Sequence, residues 1–355
     1  MGYDKPVLEA LQAAQELTEL FEADFDVDRG GFTWWHDYGL DGVARTGLMD
    51  YLYGLLCAVE ENLRSAAIHL HDLRTNRYTD DYALLKHMRE NGRIPDYRMR
   101  TDAEAQREAR TNAHEAGVFR ATGSILDTLA GVVVGVGGLK FNIMMADLGS
   151  LQPLAKGADY PNAKVRKRLG LTEQSLDLND PQGNLLRATR SSLLEAGPDG
   201  WLEWTQFSRN DRVHRASRMH TGIFTEDGKM ARPFPRQPDH AETLAFRMAN
   251  DVRKVHLTED SVVTLEGVVG SVNAAVVGVL LACAALWRTR KAQPALITQP
   301  EWQWASAKPP RATTFDGYAA DTIKMQRNPA LAVSPRTARR LQAAKVMDGD
   351  HPTTT

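Results

Sequence analysis

The sequence predicts an all-α protein with a four-helix-bundle core, polar inserts between the helices and an extended C-terminal tail. Strand signals are sparse, and four long stretches carry the spacing of apolar residues that is typical of helices. The second and fourth are rich in glycine and alanine, which lets neighbouring helices approach closely at the centre of a bundle. The four stretches are 46–74, 102–148, 182–219 and 259–290.

The first 45 residues are predicted to form an N-terminal helix and a cap. Residues 6–23 place leucines and a valine on related faces of an amphipathic helix. A stretch punctuated by glycine and aspartate follows. Within it, Trp34, Trp35 and His36 are interpreted as a packed cap over the bundle.

The bundle is predicted to occupy 46–292. After its first helix at 46–74, residues 75–101 are polar, rich in arginine and tyrosine, and contain Pro95. This composition favours an excursion or a hairpin of short elements between the first two bundle helices.

The second bundle helix, 102–148, is polar at its start and apolar later, with potential breaks at Gly123 and at Gly137–Gly138. Its glycine run, 131–140, matches neither the P-loop nor the dinucleotide-binding pattern. We therefore expect close helix packing there. A linker containing prolines is predicted over 153–181.

The third helical region, 182–219, is predicted to form two pieces separated at Gly197–Pro198, with Asp199 as the N-cap of the second. Residues 221–241 contain three prolines and are predicted to form a loop. The tail, 293–355, is predicted to be extended and partly disordered, with one short basic helix around 336–346.

The last bundle helix contains the most apolar segment of the chain. Thr258 is a candidate N-cap, and residues 267–287 carry no charge before Arg288. This length and flank fit a membrane span. A central helix buried on all sides gives the same pattern, and Ser271 and Asn273 favour that interpretation. A membrane location is therefore a secondary hypothesis.

Composition limits the functional classes. The formal net charge is −2, so the chain is not coated in basic charge for bulk nucleic-acid binding, and any polyanion site is a local patch. Cys57 and Cys283 lie in apolar runs and indicate buried thiols rather than a disulfide or zinc site. The N-terminal sequence has no apolar signal-peptide core, so we expect a cytoplasmic protein.

The segment from Phe207 to His220 is the strongest functional signal. Its arginines recur every three residues, with two histidines among them, after an aromatic run of the same spacing. Cations and a titratable imidazole on one surface suit a ligand that carries phosphate. The arginines are Arg209, Arg212, Arg215 and Arg218; the histidines are His214 and His220; the aromatic residues are Trp201, Trp204 and Phe207.

Arg209, Asn210 and His214 spell R-N-x-x-x-H on a predicted helix. In its four-helix context this motif resembles the HEPN superfamily of helical-bundle proteins. Many of these are metal-independent endoribonucleases of toxin–antitoxin, abortive-infection and CRISPR-associated systems. The resemblance covers 182–290 and, through the remaining helices, 46–148. It implies single-stranded RNA as substrate, a homodimer that places two motifs together, and a possible antitoxin or defence-system partner.

The chemistry that the resemblance implies fits the residue types. His214 can transfer protons near neutral pH, and Arg209 can hold a phosphate and stabilise its developing charge. Asn210 is expected to orient the imidazole or to hold the backbone, and Arg212, Arg215 and Arg218 to form a substrate-facing surface, without metal or cofactor. A five-residue separation places Arg209 and His214 about 140° apart on an ideal helix, so they would flank one groove.

Two carboxylates are predicted to support this site. Asp127 lies in an apolar run and needs a partner, for which Arg209 is a candidate; the alternative is an exposed aspartate on an amphipathic helix. Glu266 lies at the edge of the last apolar helix, and it too is either paired with a cation or exposed to solvent.

The motif competes with less specific interpretations. Arg-x-x-x-x-His also occurs at Arg64/His69 and Arg215/His220, so the pattern alone also fits a solvated cationic helix face or a non-catalytic interaction module. His69, His71 and Asp72 are a weak candidate for metal binding, because helical geometry would separate the two histidines.

Overall fold

A computed structural model of the chain describes residues 2–92, 101–151, 160–214, 222–225, 229–238, 240, 242–249, 251–297, 317–318 and 333–347. The all-α prediction is confirmed, because helices dominate the described residues and a two-residue antiparallel pair, β1 (Ile223–Phe224) and β2 (Met230–Ala231), is their one sheet. The α-helices are α1 Leu8–Ala23, α2 Gly42–Asn91, α3 Asp102–Gly137, α4 Leu148–Leu151, α5 Ala163–Leu169, α6 Pro181–Glu195, α7 Trp201–His214, α8 Glu242–Met248, α9 Val252–Val255, α10 Ser261–Ala292 and α11 Pro335–Ala343. Short 3-10 helices lie at Lys5–Val7, Thr33–Tyr38, Ile143–Met145, Glu173–Leu176 and Pro294–Leu296.

Helices α2 and α3 form a long antiparallel hairpin. Leu52 and Leu55 of α2 pack into the space over Gly135 and Gly131 of α3, and His69 packs against Gly117 further along. Close packing was the expected role of the glycine run at 131–140, and it is confirmed here. A Cβ at any of these glycines would meet the α2 side chains closer than ordinary van der Waals contact.

The predicted excursion at 75–101 is wrong over residues 75–91, which continue α2 as helix. This stretch contains neither glycine nor proline. Its buried charges, Arg77 and Asp80, find partners elsewhere in the fold, so the polar segment needs no exposed hairpin. The helix ends where Gly92 takes a left-handed conformation with φ 66°.

Helix α3 begins with a capping box, in which Thr101 accepts from the Glu104 backbone N–H and the Glu104 side chain returns the contact. It passes unbroken through Gly123 and ends at Gly137, because Gly138 adopts a left-handed C-cap with φ 56°. The predicted break at Gly137–Gly138 is therefore confirmed, and the predicted helical end at 148 is wrong.

The buried core is shared by α1, α2, α3, α6 and α10. The Ser192 side chain of α6 packs directly over Gly278 of α10, and this contact brings the two helices close together. The N-cap of α10 is Asp260, whose carboxylate accepts from the Val262 backbone N–H at 2.9 Å; the predicted cap Thr258 lies two residues earlier. The core extends beyond the four expected helical regions, because α1 packs on α2 and α10, and α4, α5 and α11 also contribute buried apolar side chains.

The cap predicted around Trp34 is present and depends on a buried carboxylate. Asp24, at the end of α1, accepts hydrogen bonds from the indole N–H groups of Trp34 at 3.2 Å and Trp287 at 2.9 Å, and it pairs with Lys291. Rings from Phe21, Phe32 and Trp35 surround Trp287. This cluster joins the cap to α10.

The C-terminal part of the chain returns to the bundle through α11. Ser334 caps this helix, and the Arg340 Nε lies 2.6 Å from the Asp50 carboxylate on α2. The basic helix predicted at 336–346 is thus found at 335–343. Residues 298–316, 319–332 and 348–355 lie outside the described part of the chain, so the predicted extended tail is not tested there.

Two of the described helices, α3 and α10, are long and apolar enough to cross a bilayer by length and composition. In the most apolar window of each, 78% of the residues in α3 and 56% in α10 are buried inside the fold. The core helix of a folded protein passes the same test, so the location of the chain stays a prediction.

We expect Asp24→Ala to lower the free energy of unfolding by at least about 2 kcal/mol, because two buried indole N–H groups lose their acceptor. Asp24→Asn, which keeps one acceptor oxygen, should cost less. Asp37→Ala, which removes an exposed carboxylate from the same cap, should change the free energy by less than about 0.5 kcal/mol. Urea unfolding followed by tryptophan fluorescence measures all three, and equal effects of Asp24→Ala and Asp37→Ala would contradict the role of Asp24.

Candidate functional site

Helix α7 begins two residues after the predicted N-cap Asp199. The Trp201 indole donates to the Leu193 carbonyl of α6 at 3.0 Å, and Trp204 packs against Phe119 of α3. Phe207 is 39% exposed, because a three-residue spacing rotates each residue about 60° backwards around the helix. The aromatic run therefore does not form one buried face.

Arg209 is held by Asp127 of α3. Its Nη1 lies 2.9 Å from the Asp127 Oδ2, and the two side chains are 29% and 33% exposed. The other carboxylate oxygen of Asp127 accepts from the Leu148 backbone N–H, at the start of α4, at 3.2 Å. Of the two alternatives for Asp127, the structure shows the ion pair with Arg209, and the carboxylate is itself oriented by the backbone.

Gly123 makes room for this ion pair. A Cβ at Gly123 would overlap the aliphatic stem and guanidinium of Arg209, which lie across the α3 backbone at this point. Gly123, which the sequence suggested as a potential helix break, is thus the position where the Arg209 side chain of α7 packs on the α3 backbone.

Arg212 is buried more deeply than predicted. Its Nη1 lies 2.7 Å from the Glu115 Oε2, with the side chains 18% and 4% exposed, and its guanidinium lies 4.5 Å from the centre of the Phe234 ring. Arg212 is thus a paired, largely buried residue at the helix contact, and its predicted part in a substrate-facing surface stays a prediction. The helix spacing turns this residue toward α3, where Glu115 offsets the cost of burying its charge.

The remaining motif residues are only partly described. Asn210 is exposed on α7, next to the buried Asp211. His214 is the last residue of α7, and its side chain, like Arg215, Arg218 and His220, lies outside the described part of the structure. The convergence of Arg209 and His214 therefore stays a prediction.

Glu266 is not the second supporting carboxylate of α7. Its Oε1 lies 3.0 Å from the Arg74 Nε, so it joins α10 to α2, with both side chains substantially exposed. Of the two carboxylates proposed from the sequence, Asp127 is the one placed beside Arg209.

The structure also contains a buried ionic cluster that the sequence did not indicate. Arg77 is 3% exposed and donates to the Asp260 carboxylate at 3.1 Å. The Arg232 Nη2 lies 2.8 Å from Asp80 and 3.0 Å from Asp81. Burial lowers the pKa of Arg77 and raises that of Asp81. The cluster anchors the segment after β2 onto α2 and the start of α10.

A cleft opens beside this cluster and α7, with a volume of about 240 Å³. Residues of α7 form one wall, the loop 232–238 forms the floor, and residues from 245–249 and 254–256 form another wall. Backbone bonds join floor to wall, because the Arg236 N–H donates to the Val255 carbonyl and the Leu257 N–H donates to the Phe234 carbonyl, each at 2.8 Å. The Trp204 indole also donates to the Pro235 carbonyl at 3.1 Å, which fixes α7 to the floor.

The other candidate sites have structural partners. His69 and His114 share a hydrogen bond at 3.1 Å between their Nδ1 atoms, and burial together with His114 lowers the pKa of His69. Arg64 instead pairs with Glu60. Among the described residues, no group of three His, Cys, Asp or Glu side chains is arranged to hold a metal ion.

The two cysteines are free thiols. Cys283 is buried in α10, and burial raises its pKa to about 12. Cys57 is half-buried and its pKa is raised for the same reason. Neither environment stabilises a thiolate, so a nucleophilic role has no support from the structure.

No protein-family model matches this sequence, and no curated protein or solved structure shows significant similarity to it. The resemblance to the HEPN superfamily therefore depends on Arg209, Asn210 and His214 and on the helical context alone.

A pair of glycine substitutions tests the docking of Arg209. We expect Gly270→Ala, at an exposed α10 position with nothing near its added Cβ, to raise the free energy of unfolding by up to about 1 kcal/mol. Gly123→Ala should lack this gain, because the methyl group displaces Arg209 and breaks a pair worth about 0.2–1 kcal/mol. Urea unfolding measures both, and an equal gain in the two variants would show that Arg209 does not need the space over Gly123.

Proposed function

We propose that this protein is a metal-independent endoribonuclease that cleaves single-stranded RNA, with Arg209 and His214 at its active site. The observation that carries the proposal is the arrangement of Arg209. Asp127 holds one edge of the guanidinium at 2.9 Å, while 29% of the side chain stays exposed. A guanidinium that is oriented and still open to solvent can receive a phosphate through its remaining N–H groups.

The proposed reaction divides the roles between these residues. The 2′-oxygen of the RNA attacks phosphorus as it loses its proton to a base, and the 5′-oxygen leaves as it gains a proton from an acid. Arg209 stabilises the negative charge that develops on the phosphate oxygens. His214 transfers a proton, which suits an imidazole near neutral pH, and the adjacent exposed Asn210 orients it.

One imidazole cannot act as base and acid in the same step. A homodimer that places two copies of the motif together supplies the second, as the HEPN resemblance implies. We therefore include a homodimer in the proposal, together with a cytoplasmic location and a defence-related partner such as an antitoxin.

A second candidate is a non-catalytic interaction module, and the ion pairs of α7 favour it. Glu115 and Asp127 each neutralise one arginine of the motif region, so docking of α7 on α3 is a sufficient reason for both arginines. On this hypothesis the helix positions a binding surface and performs no chemistry.

We expect the purified full-length chain to cleave labelled single-stranded RNA in the presence of EDTA. His214→Ala should lower the rate at least about 100-fold, the usual contribution of a general acid or base. His71→Ala removes an exposed histidine of α2 and should leave the rate unchanged. Gel electrophoresis of the RNA over time measures the rates, and circular dichroism checks that each variant is folded.

The outcomes separate the two candidate functions. Cleavage that His214→Ala leaves unchanged would remove the proposed mechanism. RNA binding without cleavage, unaffected by His214→Ala, would instead support the interaction module. Equal loss of cleavage in His71→Ala would show that the effect is not specific to the motif.

A further inference from the structure

The cleft beside α7 is distinct from the exposed edge of Arg209. Arg212, with Ser208 and Asp211, forms its α7 wall, whereas Arg209 and Asp127 do not line it. Its volume of about 240 Å³ is many times that of one water molecule, so it has room for a small organic ligand.

The lower part of the cleft is apolar and aromatic. Phe246 lies against the His256 ring, with 5.8 Å between the ring centres, and both residues line the cleft. On the floor, the Arg212 guanidinium stacks 4.5 Å from the centre of the Phe234 ring. These planar groups in the cleft lining suit a flat aromatic ligand, which gains from stacking on rings and on a guanidinium plane.

The rim of the cleft is cationic. Four arginine or lysine side chains and two carboxylates line the cleft, so positive charge is in excess. Arg212 and Arg232 are already paired with carboxylates of α3 and α2. Arg236 and Lys254 are exposed and form no ion pair with any carboxylate among the described residues.

Arg236 is also oriented. Its Nε donates to the Arg253 carbonyl at 3.1 Å and its backbone N–H to the Val255 carbonyl at 2.8 Å, so Arg236 lies along the segment that carries Lys254, and both residues line the cleft. Two cations that have no carboxylate partner among the described residues therefore line the same cleft as the aromatic rings, which offers a place for a phosphate together with a place for a ring.

We propose that this cleft binds a nucleoside monophosphate unit, with its base between Phe246 and the Arg212–Phe234 stack and its phosphate at Arg236 and Lys254. An inorganic anion would not contact the aromatic rings of the cleft, and a neutral aromatic ligand would leave Arg236 and Lys254 without an anionic partner. The site stands apart from the proposed cleavage, since none of its groups is needed for that reaction. One helix, α7, then borders both the nucleotide-binding cleft and the proposed cleavage site.

Calorimetric titration of the full-length chain tests this proposal with AMP, GMP, CMP, UMP, adenosine and inorganic phosphate as probes. At least one monophosphate should bind, and both adenosine and phosphate alone should bind at least about tenfold more weakly than the best monophosphate, the loss expected for one charge-assisted hydrogen bond or one stacked ring. Lys254→Ala and Arg236→Ala should each weaken binding by about the same factor. Phe246→Leu, which keeps the apolar volume but removes the ring, should also weaken it.

Matched controls come from the same segment. Arg253→Ala removes a neighbouring exposed cation, and Leu244→Ala removes an exposed apolar side chain of α8; neither residue lines the cleft, so binding should be unchanged. His214→Ala should also keep full nucleotide binding, which distinguishes failure of the cleavage proposal from failure of this one. Binding of none of the monophosphates, equal binding of phosphate alone, or equal weakening by Arg253→Ala and Lys254→Ala would overturn the proposal.

Discussion

The position of α7 depends on charge pairing across the α3–α7 contact. The side of α7 that faces α3 carries Arg209 and Arg212, and α3 presents Asp127 and Glu115 to them. An arginine buried without a partner is costly, so α7 can pack here because both carboxylates are present. The half-exposed Asp127 pair adds little net stability, and its main effect is to set the position and orientation of the helix.

That placement determines the surroundings of α7. Trp204 fixes the loop 232–238 through its indole, and Arg212 stacks on Phe234 of the same loop. The buried cluster of Arg232 with Asp80 and Asp81 holds the start of this loop on α2. The cleft therefore exists because charged and aromatic groups of α7 and α2 hold the loop 232–238 against α7.

The same ion pairs support two interpretations of α7. An arginine held by a backbone-oriented carboxylate is a positioned group, which is what phosphate stabilisation requires. The same two ion pairs are also sufficient to hold α7 against α3 without any role in chemistry. The partial exposure of Arg209 favours the first interpretation, while Arg212 is more deeply buried and also lines the cleft.

Local patterns in the sequence predicted much of the fold. Apolar spacing predicted the main helices, and one of the two potential glycine breaks in the second bundle helix, Gly137–Gly138, is where α3 ends. The aspartate within an apolar run made Arg209 a candidate partner of Asp127, and the structure pairs them. These features depend on residues close in sequence, or on the general cost of an unpaired charge.

Features that depend on distant partners were missed. The polar residues 75–91 form helix with Arg77 bonded to Asp260, which is 183 positions away. Arg212 is largely buried because it forms an ion pair with Glu115 of α3. The cleft forms because the loop 232–238 packs against α7. No spacing within α7 distinguishes an arginine that faces solvent from one that has a carboxylate on another helix.

The central claim is that Asp127 positions Arg209 for chemistry rather than only for packing. A double-mutant cycle with Asp127→Asn and Arg209→Lys, measured both in kcat/KM for RNA cleavage and in the free energy of unfolding, tests it most directly. We predict a coupling of at least about 1 kcal/mol in cleavage that exceeds the coupling in unfolding. Coupling in unfolding with none in cleavage would contradict the claim and leave the pair a docking contact.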